Sequence, residues 1–440
     1  MIIRAQKKME TGGVFNSLLV IQILLLFFLP PLDGKMNLIR IIIYTMFAAI
    51  SVVLVLLFLR EAVFFKKIKF NLSFWSVSAF FGMCGVSALW GITRGISITD
   101  IIRGILPFVW FIYIIILTQR LTYKSLEHMI KIISVVSICY AARIFLYYFI
   151  FVFGHAYERV TFHLVQATSI MPMIGSLILG YYFIDKNLHN SAYFAASIFC
   201  YISVILTATK SMLMALIAGW VILGGCFVLF IRRKGFAKKL VVKRIVMMGI
   251  SLLVCTGIIT AGTGLGDRWR SMITFTKTET SGTSETVKAD NETEIKVDEG
   301  SVSVRIIELK TALKNYMDSP FLGQGIGYRW KADGLDYGGP VIYMHNIIAF
   351  IMQDFGTMGL IYILLILIFI FRMIYKVFKI RLQSKKKRKD ILLYFSIIAM
   401  SFCYANFFAV FRSIEFVVLC SIFIAAFILE YESIVCGMDV

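Results

Sequence analysis

The stretch from residue 347 to residue 371, IIAFIMQDFGTMGLIYILLILIFIF, decides the fold class. Its only charged side chain is Asp354. About 20 consecutive apolar residues are enough for a helix to cross the roughly 30 Å hydrocarbon core of a bilayer. A segment inside lipid must also satisfy its own backbone hydrogen bonds, and a helix does so. The stretch therefore predicts a transmembrane helix.

Similar apolar runs recur along the whole chain of 440 residues. Hydrophobic residues make up 59% of the chain, charged residues make up 16%, and the mean hydropathy is +0.84. This composition excludes an ordinary water-soluble domain. We therefore predict an all-α, polytopic membrane protein with about 12 transmembrane helices. Their predicted positions are residues 13–32, 37–59, 71–91, 101–118, 129–153, 165–184, 191–208, 211–231, 245–263, 347–371, 391–410 and 413–430.

Basic residues are concentrated in the short loops on one side of this predicted bundle. The loop at residues 264–340 has ten Lys and Arg against twelve Asp and Glu, so its net charge is −2 while the rest of the chain carries +22. The positive-inside rule then predicts cytoplasmic N- and C-termini and one large extracytoplasmic loop. Membrane insertion and anionic lipid account for the formal charge of +20, so we expect no nucleic-acid partner.

The chain divides into three predicted parts. Residues 1–263 hold transmembrane helices 1–9, residues 264–346 form the extracytoplasmic loop, and residues 347–440 hold transmembrane helices 10–12 and a cytoplasmic tail. Within the loop, the polar and charge-mixed residues 276–300 predict a flexible insert. Residues 301–319 predict an amphipathic helix on the membrane surface, with Pro320 after it. Its apolar stripe consists of Val302, Ile306, Leu309, Leu313 and Met317.

The order of motifs across this loop points to a family. Arg305 comes first, followed by the turn Pro320-Phe-Leu-Gly-Gln-Gly-Ile-Gly, then His345-Asn346, and then Asp354-Phe-Gly-Thr-Met-Gly. This order resembles the O-antigen ligase and O-antigen polymerase superfamily. Its hallmark is an Arg-led helix ending in a Pro-x-x-Gly-x-Gly turn, then His-Asn, then an acidic-x-Gly-x-x-Gly helix start, all on the non-cytoplasmic face.

Three further stretches fit the same family in the same chain order, and the charge-based topology places them on the outer side. Glu158-Arg159-Val-Thr-Phe is similar to its outer-face arginine segment. Leu206-Thr-Ala-Thr-Lys210-Ser211 resembles a family motif that usually has Arg at the position of Lys210. Phe411-Arg412-Ser413-Ile414 resembles its last outer turn, where members can carry an acidic residue in place of Asn406.

The resemblance implies a glycosyltransferase in the bacterial cytoplasmic membrane, active in polysaccharide or lipopolysaccharide biosynthesis. A glycan on a lipid diphosphate of the undecaprenyl type would pass to a glycan or lipid-core acceptor at the outer face, without a cofactor. Guanidinium groups bind phosphate oxygens in pairs, whereas an ammonium group acts as a point charge. The predicted diphosphate-binding residues are Arg159, Lys210, Arg305 and Arg412.

The predicted general base is His345, since an imidazole titrates near neutral pH. Arg305 is the second predicted catalytic residue, with Asn346, Asn406 and Arg143 in support. No carboxylate pair on the predicted outer face has the tight Asp-x-Asp spacing that holds a metal against a sugar nucleotide, so we predict a metal-independent reaction.

Other interpretations remain open at this point. The sequence does not separate a ligase from a polymerase, and a polysaccharide transporter or flippase, or a non-catalytic scaffold, is the rival from another class. Arg412 and Glu415 are three residues apart and could pair with each other. Aromatic side chains that could either stack on sugar rings or pack internally are Tyr328, Trp330, Tyr337 and Tyr343.

Overall fold

A computed structural model describes most of the chain, in the ranges 2–27, 38–65, 71–151, 170–185, 191–207, 209–234, 238–262, 302–331, 340–379 and 387–436. Within these ranges the chain forms helices and connecting turns, without a named strand. The α-helices are α1 Ile2–Phe27, α2 Leu38–Phe65, α3 Leu72–Thr93, α4 Ile98–Ile105, α5 Ile112–Arg120, α6 Tyr123–Phe151, α7 Ile170–Ile184, α8 Ser191–Leu206, α9 Lys210–Lys234, α10 Lys238–Gly262, α11 Val302–Asp318, α12 Ile347–Lys379, α13 Lys387–Ala405 and α14 Ile414–Cys436. Short 3₁₀ helices cover Leu106–Phe111 and Ala409–Arg412.

The all-helical membrane fold predicted from composition is confirmed. Among the described residues, eight segments are long and apolar enough to cross a membrane. The other four predicted runs fall on shorter apolar helical segments, so the count of twelve stays a prediction. These shorter segments are Gly13–Leu25, Ile170–Ile184, Ser191–Leu206 and Asp390–Ala405. The predicted flexible insert at 276–300 lies outside the described residues.

The helices differ in how deeply they are buried. In α14, 83% of the most apolar window is buried, and the helix packs against α5 and α13. In α12 the corresponding share is 11%, so most of that apolar window faces outward, where the membrane would lie. The first part of α12 is different, because residues 352–356 are buried under the turn that follows α11. This covered end of α12 carries the candidate site.

Helix α11 has an apolar side and a polar side. The apolar side is exposed and the side with Glu308 is buried, the reverse of a helix in a water-soluble protein. Ile306, Leu309 and Leu313 are exposed, whereas the carboxyl group of Glu308 is fully buried. The exposed apolar stripe is typical of a helix that rests on a membrane surface. The buried face packs against α12 and brings Glu308 into the protein.

Two glycines let the turn after α11 approach α12. Gly323 has φ 70° and Gly356 has φ 60°, values that favour glycine. A Cβ atom added to Gly356 would lie 2.7 Å from the carbonyl oxygen of Pro320, so a side chain would push the two segments apart. The same Pro320 oxygen accepts hydrogen bonds from the backbone N–H and the hydroxyl of Thr357, both at 2.8 Å. The predicted tight glycine turn thus binds directly to the first part of α12, at the point where the non-helical backbone of Gly356 interrupts the helix.

The end of the turn is bound to α4 and to the segment before α12. Arg329 binds the carboxylate of Asp100 through Nε and Nη2, both at 2.8 Å. Trp330 and Val341 form an isolated antiparallel bridge, and the indole N–H of Trp330 donates to the Tyr343 carbonyl oxygen at 2.9 Å. The Trp330 ring is buried, so of the two alternatives left open by the sequence, Trp330 packs internally. It fixes the backbone that leads to His345.

Candidate functional site

The centre of the site is a contact between His345 and Glu308. The ring Nδ1 of His345 lies 2.6 Å from Oε1 of Glu308, and the backbone N–H of His345 donates to Oε2 at 3.1 Å. The two residues are 37 positions apart in the sequence, so the contact exists only because α11 packs on α12. The side chain of His345 keeps 14% of its surface exposed, whereas that of Glu308 is completely buried.

Glu308 is held in its charged form. Burial alone would raise its pKa, but the hydrogen bond from the His345 side chain and the electrostatic attraction to His345 and Arg305 outweigh that effect. The pKa of Glu308 therefore lies below its ordinary value. A carboxylate only accepts hydrogen bonds, so Nδ1 of His345 carries the proton that is donated to it.

Arg305 lies one helical turn before Glu308 and joins α11 to a third part of the chain. Its Nη1 is 3.4 Å from Oε2 of Glu308, and its Nε–H donates to the carbonyl oxygen of Phe407 at 3.2 Å. Phe407 belongs to the turn between α13 and the 3₁₀ helix Ala409–Arg412. The predicted catalytic pair Arg305 and His345 thus meets around one carboxylate.

Arg412 reaches the same place from the 3₁₀ helix. Its guanidinium carbon lies 5.3 Å from the ring centroid of Tyr343, and the Tyr343 and His345 rings meet edge to face at 5.6 Å. Glu415 accepts a hydrogen bond from Tyr44 at 2.6 Å, while Nη2 of Arg412 donates to the Arg103 carbonyl oxygen at 3.4 Å. The alternative pairing of Arg412 with Glu415 is therefore wrong. We call the connected residues the His345 cluster: Arg305, Glu308, Tyr343, His345 and Arg412.

Two groups behind the cluster hold its position. Asn346 accepts a hydrogen bond from the Ala349 backbone N–H through Oδ1 at 2.9 Å, so it caps the first turn of α12 directly after His345. Asp354 is fully buried, receives a hydrogen bond from the Gln353 amide at 3.2 Å, and lies within electrostatic range of Arg412. Asn346 therefore stabilises the backbone directly after His345, and its predicted support of the reaction stays a prediction.

A family model of the O-antigen ligases matches residues 195–364 of the chain. This region contains Arg305, Glu308, the glycine turn, His345 and Asp354. Residues 195–364 are therefore similar to an O-antigen ligase domain. The resemblance inferred from the order of the motifs is thereby confirmed, and the match supports an O-antigen ligase-like function in a multi-pass membrane protein. No curated protein matches the chain.

Some of the predicted residues lie outside the O-antigen ligase match or outside the described residues. Arg412 and Asn406 follow the matched region, although the structure brings Arg412 to it. The amide of Asn406 donates to the Phe402 carbonyl oxygen at 2.8 Å, and its buried Oδ1 has no hydrogen-bond partner among the described residues. Arg143 lies in α6, with its guanidinium carbon 5.6 Å from the ring centroid of Tyr140.

Two of the predicted diphosphate-binding residues have no described side chain. Arg159 lies outside the described residues. Lys210 begins α9 inside the matched region, but its side chain is not among those described. Their roles stay predictions.

Glu308 is the residue of the His345 cluster that the motifs did not indicate. The sequence shows only a Glu one turn after an Arg, and such a pair is usually solvated. One sequence feature could have indicated its burial. Glu308 lies opposite the apolar stripe of α11, and if that stripe rests on the membrane, the face with Glu308 packs against the protein.

Proposed function

We propose that this protein transfers a glycan from a lipid diphosphate of the undecaprenyl type to an acceptor hydroxyl, as an O-antigen ligase. One observation carries the proposal: two arginines and a histidine converge on the start of α12, and the histidine is held by a buried carboxylate. The match to the O-antigen ligases supports the same function for the region around these residues.

The proposed reaction is a single displacement at the anomeric carbon of the donor. The acceptor oxygen forms a bond to that carbon while the bond from the carbon to the phosphate oxygen breaks. The bonding electron pair stays on the lipid diphosphate, and the acceptor proton passes to Nε2 of His345. A correctly placed general base typically accelerates such a step by about 10²- to 10⁴-fold.

The leaving diphosphate needs positive charge near the broken bond. Arg305 contacts Glu308, the partner of His345, and Arg412 lies over the ring of Tyr343, so two guanidinium groups lie near these rings. Guanidinium groups can bind phosphate oxygens in pairs, and fixed charges of this kind stabilise negative charge as it develops. We propose Arg159 and Lys210 as further phosphate contacts, and a reaction that proceeds without a metal ion.

The same proposal includes the orientation of the protein. With both termini in the cytoplasm of a bacterium, the loop at 264–346 and Arg412 face the outer side of the cytoplasmic membrane. The net charge of −2 on residues 264–340, against +22 elsewhere, supports this orientation. The donor would enter from the membrane, and the lipid-core or glycan acceptor from the outer side.

Transfer can be measured with the full chain in liposomes that contain a lipid-diphosphate oligosaccharide and candidate acceptors. We expect product with wild type, and a loss of about 10²-fold or more for Arg305→Ala and His345→Ala. Arg94→Ala is the matched control, because Arg94 is an exposed arginine at the end of α3 outside the His345 cluster.

The result also separates the competing activities. A single step on a distinct acceptor supports the ligase, and a ladder of product lengths would instead mean a polymerase. If wild type moves the lipid-linked glycan across the bilayer without forming a new glycosidic bond, the protein is a transporter. Equal transfer by wild type and both alanine variants would refute the assignment of the site.

A further inference from the structure

We infer that Glu308 is a positioning residue that fixes the ring orientation and the tautomer of His345. The inference rests on the proposed function, because it assigns Glu308 a role in preparing the general base. Neither the motif order nor the family match assigns a role to this residue.

Glu308 binds His345 at two places, the ring and the backbone, and this fixes the orientation of the ring. Oε1 of Glu308 accepts from Nδ1 of the His345 ring at 2.6 Å, and Oε2 accepts from the backbone N–H of the same residue at 3.1 Å. A carboxylate bound to the ring alone would leave the backbone free to shift. Because the backbone is bound as well, both the start of the His345 side chain and its ring are held relative to α11.

The tautomer follows from the chemistry of the two partners. The buried carboxylate accepts hydrogen bonds and has no proton to donate, so the neutral ring carries its proton on Nδ1. The lone pair of the neutral imidazole is then on Nε2, the nitrogen that points away from Glu308. Proton transfer from an acceptor hydroxyl is thereby assigned to Nε2, and the imidazolium that forms lies beside a negative charge.

The other charged and titratable groups around the pair come from three helical elements and from the segment before α12. Arg305 on α11 lies 3.4 Å from Glu308, and Arg412 on the 3₁₀ helix lies over Tyr343, whose ring touches that of His345. Asp354 on α12 is within electrostatic range of Arg412. Glu308 is the carboxylate in direct contact with the His345 ring, and the two arginines are the nearby cations.

The first test is the pH profile of transfer by Glu308→Gln in liposomes. Gln keeps the size of the side chain but removes the charge, so we expect kcat/KM to fall by about 10²-fold, within the range for a disabled general base. We also expect the acidic limb of the profile to move to lower pH, because the substitution removes the negative charge in contact with the ring. Glu308→Asp should restore part of the rate.

Asp318→Asn is the matched control. It removes one carboxylate from an exposed position at the end of the same helix. We expect its rate and pH profile to equal those of wild type. If wild type transfers glycan and Glu308→Gln keeps both the rate and the pH profile, the inference is overturned.

A second measurement does not depend on transfer. Wild-type protein labelled with ¹⁵N in its five histidines gives ring-nitrogen resonances that distinguish the two tautomers, and His345→Ala identifies the resonances of His345. A neutral ring protonated on Nδ1 supports the inference, and one protonated on Nε2 overturns it. Absence of transfer by wild type would refute the proposed function, and the NMR result would still decide whether Glu308 fixes the tautomer.

Discussion

Glu308 and Arg244 are both buried charged side chains, but they have different kinds of partners. Glu308 is contacted by His345 and Arg305, side chains that can exchange a proton or bind an anion. Arg244 donates to the backbone carbonyl oxygens of Phe183 and Asp185, both at 3.4 Å, at the C-terminal end of α7. Its guanidinium carbon lies 5.9 Å from the ring centroid of Phe183.

The different partners indicate different roles: Arg244 is a structural cation, whereas Glu308 belongs to a candidate catalytic site. A positive charge at the end of a helix satisfies carbonyl groups that have no partner within the helix and interacts favourably with the helix dipole. Arg244 therefore stabilises the end of α7 without presenting a reactive atom. The His345 cluster joins titratable and cationic side chains from separate parts of the chain, as a reaction at a phosphate-linked sugar requires.

The largest effect is expected for His345→Gln. Gln can still donate a hydrogen bond to Glu308, so the buried carboxylate keeps a partner, but an amide cannot accept a proton near neutral pH. We expect transfer to fall by about 10²- to 10⁴-fold with little change in Tm. Transfer assays and thermal unfolding of the same preparation would check this. A variant with at least a tenth of the wild-type rate would show that His345 is not the base.

Arg305→Lys should have a smaller effect than His345→Gln. Lys keeps the positive charge, but it loses the planar group that contacts Glu308 and Phe407 together. We expect kcat/KM to fall by about 10-fold or more, as is typical when a paired guanidinium contact is replaced by a point charge. The conservative change Arg94→Lys, outside the cluster, is the control. Equal rates for Arg305→Lys and wild type would mean that only the charge of Arg305 matters.

The membrane-spanning helices can be predicted from the sequence because the length of an apolar run is a local property of the chain. The apolar run at 347–371 lies within α12, but the helix continues to Lys379, since hydrogen bonding along a helix does not stop where the apolar residues end. The predicted helix at 101–118 is instead divided into α4, a 3₁₀ helix and α5. Pro107 lies in the 3₁₀ segment and has no backbone N–H to continue an α-helix. Hydropathy does not detect this break.

The site was only partly predictable for a related reason. Arg305 and His345 are visible because they belong to motifs with fixed local spacing. The contact of Glu308 with a residue 37 positions later depends on the packing of α11 against α12, and no local pattern encodes it. The sequence left open whether Trp330 stacks on sugar rings or packs internally, because the choice depends on tertiary packing. Its ring is buried, and its indole N–H binds the segment that carries His345.

Arg244→Met should lower stability and leave the chemistry intact. Removing the cation leaves the Phe183 and Asp185 carbonyl oxygens without this donor, and we expect a loss of about 1 to 3 kcal/mol, the usual cost of a buried unsatisfied polar group. Thermal unfolding should show a lower Tm, while kcat/KM per folded molecule should stay within about twofold of wild type. If transfer fell as far as in Arg305→Lys, the distinction between the two buried charges would not hold.

The smallest effect is expected in the pH dependence of stability. The pKa of Glu308 lies below its ordinary value, so Glu308 contributes stability above the pKa it has when unfolded, about 4.3. That contribution is lost as pH falls through the lower pKa of the folded state. We therefore expect the Tm of wild type to fall more steeply than that of Glu308→Gln between about pH 5 and pH 3. Arg244→Met should keep the wild-type slope, because an arginine does not titrate in this range. A steeper slope for Glu308→Gln than for wild type would mean that the buried carboxyl group is protonated in the folded protein, and the His345 cluster would then lack the negative charge that distinguishes it from the site of Arg244.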